Sequence, residues 1–131
     1  MKNLVFILLL AFVFTSCSRN DKYNYSAIDD LIGVWSLQSK FINETTPLDI
    51  EESALIITDD NDIRDFKGNY EFISEDASSG QFALDLSMGD IVFTTTNGEV
   101  HVAGFYLNNI TMVFNYRNED GAIIQEVWVK N

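Results

Sequence analysis

From Val34 onward the apolar residues recur at every second position, segment after segment, and this period is the strongest constraint on what the chain can fold into. Successive side chains of a β-strand point to opposite faces, so alternation marks a strand with one buried face, whereas a helix repeats every 3.6 residues. Trp35, Leu37 and Phe41 share a face with Ser39, while Ser36, Gln38 and Lys40 fall on the other. The pattern returns at Ala54 to Thr58, Asn69 to Ser74, Gln81 to Leu86, Ile91 to Thr95, Val100 to Leu107, Ile110 to Tyr116 and Ile123 to Val129, which predicts eight strands. Asn97-Gly98 predicts a two-residue hairpin, and Asn108-Asn109 and Asn118 to Gly121 mark further turns. Such short connections imply an antiparallel up-and-down order. Pro47, the one proline, falls in the polar loop Asn43 to Asp49, where it removes no ladder bond.

Eight antiparallel strands with one buried face close most economically into a barrel, which leaves no exposed edge; a two-sheet sandwich is the alternative. A barrel of this size is just wide enough to be filled by its own side chains or to hold one small ligand. With 10 Phe, 5 Tyr and 2 Trp, a filled interior is the first expectation. If the interior is open, the alternation makes Trp35, Leu37, Phe41, Tyr70, Phe72, Phe82 and Phe114 the candidate ligand-binding residues. An apolar cavity of about 300 Å³ or more would favour ligand binding, and a dry core would favour a structural or protein-docking role.

The N-terminus has a different character. Lys2-Asn3 leads into an apolar run from Leu4 to Phe14, followed by Thr15-Ser16 and Cys17, the one cysteine. That run has the length of a signal-peptide core and falls well short of the roughly 20 residues that span a bilayer. Phe14-Thr15-Ser16-Cys17 resembles the lipobox of bacterial lipoproteins, although Phe14 stands where Leu, Val or Ile is usual. The resemblance implies cleavage before Cys17 and diacylglyceryl attachment to its thiol, with residues 1–16 as signal peptide, 17–25 as tether and 26–131 as one domain. A soluble secreted form with a free thiol is the alternative. Two or three acyl chains anchor stably where one does so only marginally, so the partner implied is a membrane. Ser18 follows the cysteine where an aspartate would resemble an inner-membrane retention signal, which points to the outer membrane of a bacterial cell envelope; the periplasmic and surface faces both stay open.

After the tether, Ser26 with Asp29 three residues on reads as a capping box opening a short helix, and Gly33 stops it. A helix running into Gly33-Val34-Trp35 at the first strand resembles the Gly-x-Trp signature of lipocalins, and the domain as a whole is similar to the small lipocalin-like domains of bacterial lipoproteins. The resemblance implies that the helix closes one end of the barrel, that Trp35 packs across its floor, and that the barrel mouth takes a small, mostly apolar molecule. It also implies a basic residue stacked on that tryptophan. Lys130 and Arg117 are the candidates.

Chemistry beyond binding finds little footing. The chain carries 20 acidic and 8 basic side chains for a net charge of −12, which repels nucleic acid and suits, if anything, a cationic protein partner. The single His101 cannot build a two-histidine metal site and reads as a strand-surface imidazole. Asp59-Asp60-Asn61-Asp62 and Asp65 lack the spacing of a calcium loop and read as an acidic turn. Glu51-Glu52 and Asp29-Asp30 are adjacent pairs that would face apart on a strand. No catalytic residue, metal ligand or cofactor is expected, and the chain reads as a binding module and not as an enzyme.

Overall fold

The computed structural model describes residues 28–61 and 65–131. The signal segment, the tether with Cys17, the Ser26 cap and Asp62 of the acidic turn lie outside them. Nine strands follow in order: β1 (Gly33–Ile42), β2 (Thr46–Pro47), β3 (Ala54–Asp59), β4 (Lys67–Ile73), β5 (Ser78–Asp85), β6 (Asp90–Thr95), β7 (Val100–Asn108), β8 (Thr111–Arg117) and β9 (Ile123–Lys130). Every consecutive pair from β3 to β9 is antiparallel, β1 pairs with β3, and β1 pairs again with β9 from Trp35↔Lys130 to Ile42↔Ile124. The result is a closed eight-stranded up-and-down barrel of β1 and β3–β9. All eight strands expected from the alternation are present.

The small β2 is an addition to them. It pairs only with the far half of β1, Phe41 opposite Pro47 and Ile42 opposite Thr46, while β3 takes the near half from Gly33↔Ile57 to Ser36↔Ala54. Pro47 therefore sits on a short edge piece, where its missing N–H costs little. Asn43 and Glu44 make the intervening turn at φ 51° and 66°. The Asn97-Gly98 hairpin differs from the two-residue form expected: only Gly98 has positive φ, and Thr95 N donates to Glu99 O at 2.9 Å. The loop is thus three residues long with glycine in the left-handed position, and the Asn118 to Gly121 turn repeats the arrangement with Gly121 at φ 80°. Leu86, expected at the end of a strand, is exposed in the turn beyond β5.

A bulge in β1 changes which residues face inward. Leu37 pairs with Trp128, but the register shifts before Ser39↔Val127, Lys40↔Glu126 and Phe41↔Gln125. Because Ile124, Glu126 and Trp128 are the buried set of β9, residues across from Val127 and Gln125 lie on the outer face. Ser39 and Phe41 are thereby moved outward, contrary to the alternation, and Lys40 and Ile42 take the inward phase.

The two poles of the barrel differ. At one, Leu31 N and Ile32 N donate to Ile28 O in a single turn that tucks the fully buried Ile28 and Leu31 under the barrel. Trp35, also fully buried, donates from Nε1 to Leu31 O at 2.8 Å, tying that turn to the floor. Lys130 crosses outside it: its Nζ lies 5.6 Å from the Trp35 ring centroid and donates to Asp30 O at 3.2 Å. Of the two basic candidates, Lys130 is the one on the tryptophan, and Arg117 sits at the opposite pole. Gly33 permits the crossing, since at φ 146° a Cβ there would stand 2.7 Å from Lys130 Cε. Above this floor Ile57, Phe82, Ile91 and Met112 complete a buried apolar core.

Candidate functional site

The other half of the barrel is open. A cavity of about 470 Å³ lies among Leu55, Tyr70, Phe72, Phe93, Phe114 and Trp128, with Ser78, His101, Ala103, Tyr116, Arg117 and Glu126 also on its walls. The expectation of a filled interior therefore holds only for the lower half. The aromatic content that suggested filling is arranged around the space instead. Tyr70 meets Phe93 edge-on at 4.9 Å, Phe93 meets Phe114 at 5.7 Å, Phe114 lies 6.4 Å from Trp128, and Trp128 meets Phe72 edge-on at 5.6 Å. Edge-to-face contacts of this kind favour one another electrostatically and hold the rings in fixed tilts. The five form a girdle, because Tyr70 and Phe72 occupy alternate inward positions of the same strand.

Of the seven interior residues expected from the alternation, Tyr70, Phe72 and Phe114 line the cavity. Trp35 and Phe82 belong to the floor beneath it, Leu37 packs against the core, and Phe41 is turned outward by the bulge. His101 sits opposite Phe93 on the inner register of β7, so it marks the cavity rim and not the outer wall, with its side chain 66% exposed.

Among the described residues Glu126 is the one charged residue that the barrel buries. Glu126 stands between Ile124 and Trp128 in the inward phase of β9 and is only 9% exposed. Tyr116 Oη donates to its Oε1 at 3.0 Å. Burial, and then the negative charge of Glu126, hold the Tyr116 phenol well above its ordinary range, so it stays a donor at any ordinary pH. A second polar feature is Trp128 Nε1, which is buried and has no hydrogen-bond partner among the described residues. A buried polar atom without a partner is uncommon. The sequence signal for Glu126 was visible as a carboxylate in the apolar phase of Ile124-x-Glu126-x-Trp128. Among the described residues no group of three or more His, Cys, Asp or Glu could hold a metal ion.

No known protein family matches the chain, and no curated protein matches it. Among solved structures it is similar to a redesigned β-barrel, at a TM-score of 0.53 and 11% identity over 80% of this chain and 95% of that one. At that identity the likeness concerns the fold alone, a closed β-barrel.

Proposed function

We propose that the protein is a lipid-anchored lipoprotein of the bacterial cell envelope whose lipocalin-like barrel holds one small, mostly apolar molecule in its open half. The observation that carries this reading is the aromatic-walled cavity, whose volume falls within the 300–1,000 Å³ usual for small-molecule sites. The rest of the design is in keeping with it: apolar walls supply most of the contact, and Glu126 is the polar group that would fix an orientation. A filled barrel acting only by docking partners loses its premise in this half. The Gly33-Val34-Trp35 floor with Lys130 laid over it supports the lipocalin-like affiliation, and the Phe14-to-Cys17 sequence supports the anchor.

The cavity is tested with N-phenyl-1-naphthylamine, a neutral apolar dye whose emission rises on leaving water. It should bind with one site per chain and quench tryptophan emission. Ser78→Phe places bulk in the cavity from a half-buried wall position, and should abolish the signal without unfolding the barrel. Equal dye binding by the folded variant would place the site elsewhere.

The anchor is tested separately. Cys17→Ala should eliminate palmitate labelling and leave unprocessed precursor in cells, because the lipoprotein pathway modifies that thiol before cleavage. Normal processing of the variant to a soluble form would refute the lipoprotein assignment.

A further inference from the structure

We infer that the cavity selects an organic cation, an amine whose hydrocarbon or aromatic body fills the apolar space and whose ammonium group lies against Glu126 inside the aromatic girdle. The inference rests on the reading that the barrel holds a small molecule, and it names the class.

Three observations converge on it. Glu126 is an almost fully buried carboxylate at the wall of an apolar cavity, and among the described residues no Lys, Arg or His approaches within 4 Å of it. A buried charge is costly unless compensated, and one hydroxyl donor from Tyr116 is partial compensation. None of the cations nearest in the fold pairs with it. Arg117 donates from Nη1 to Gly121 O at 2.9 Å, and His101 Nε2 has Glu99 at 3.8 Å. Lys40, across from Glu126 in the register, forms no ion pair with it.

The second observation is the girdle itself. Aromatic faces carry negative charge density, and Phe72 and Phe93, the half-buried rings of the girdle on the cavity wall, are the aromatic groups a ligand cation would meet there, an attraction that grows where water is excluded. An anionic ligand such as a fatty acid would meet both the ring faces and Glu126 unfavourably.

The third is the charge of the approach. The connections at the cavity pole, 43–45, 48–53, 74–77, 96–99 and 118–122, contain neither Lys nor Arg. They do contain Glu51, Glu52, Glu75, Asp76, Glu119 and Asp120 among others. Arg117 at the end of β8 is a cation on the cavity wall, but the loops around it are acidic, and an excess of one sign of charge around a cleft raises the local concentration of the opposite ion and its rate of entry.

The test is a matched trio on one carbon skeleton, titrated calorimetrically into the purified full chain: 4-phenylbutylamine, 4-phenylbutan-1-ol and 4-phenylbutyrate. The amine should bind about ten-fold tighter than the alcohol, and the carboxylate should be weakest. Glu126→Gln should bring the ratio of amine to alcohol affinity to about one. An amine no tighter than the alcohol in the unmodified chain overturns the inference whether or not the variant folds, as does a folded Glu126→Gln that keeps the preference. If N-phenyl-1-naphthylamine binds but the amine does not, the cavity reading stands and the cation inference fails. If neither binds, both fail.

Discussion

Trp35→Ala is expected to destabilise the barrel by about 3–5 kcal/mol, a large part of the roughly 5–15 kcal/mol that holds a small domain folded. Three losses coincide at that position. A fully buried indole leaves a void in the floor, Leu31 O loses the donor 2.8 Å away, and Lys130 loses the ring it covers. Trp35→Phe should cost less, since it keeps most of the volume and loses mainly the Nε1 bond. Urea denaturation of both variants measures the difference. An alanine variant within about 1 kcal/mol of the parent would mean that Trp35 is not the keystone of the floor.

Gly68→Ala should also be costly, about 3 kcal/mol, though only one methyl is added. A Cβ at Gly68 would stand 2.5 Å from Thr58 O and 2.6 Å from Phe82 Cε1, so it is trapped between a neighbouring strand and the ring that lies over it. The strand cannot move without opening the β3–β4 ladder. The ring can. Combining Gly68→Ala with Phe82→Leu should therefore restore part of the loss, giving a double variant more stable than the sum of the single changes predicts. Simple additivity would show that the ring is not what Gly68 accommodates.

The strands were legible in the sequence because a one-sided strand writes its facing into the residue order. Each of the eight appears within a few residues of where alternation put it. Phe41 failed for a specific reason: the bulge between Leu37 and Ser39 inserts one residue opposite β9, and nothing in Leu37-Gln38-Ser39-Lys40 announces it. The division between floor and cavity was illegible for a different reason. Phe82 and Phe114 both alternate inward, and only the strand register reveals that Phe82 lies over Gly68 beneath the cavity while Phe114 joins the girdle around it. Glu126 was readable in principle, as the carboxylate that breaks an apolar phase. Trp128 falls within the strand Ile123 to Val129 that alternation marks, but its unpartnered Nε1 is a property of three-dimensional neighbours that no one-dimensional pattern contains.

The seam joining β1 to β9 has a consequence for how the molecule is made. Ser36 Oγ donates to Asn131 Oδ1 across 95 residues, and Asn131 N donates to Val34 O at 2.9 Å, so the first strand finds its last partner only once β9 has been made. Distant pairings of this kind form more slowly than the local contacts of helical bundles. During synthesis every shorter intermediate has two open sheet edges and an exposed aromatic interior. A chain that cannot close early is one that a chaperone can still hold, and the same seam that closes the finished barrel leaves the unfinished one open.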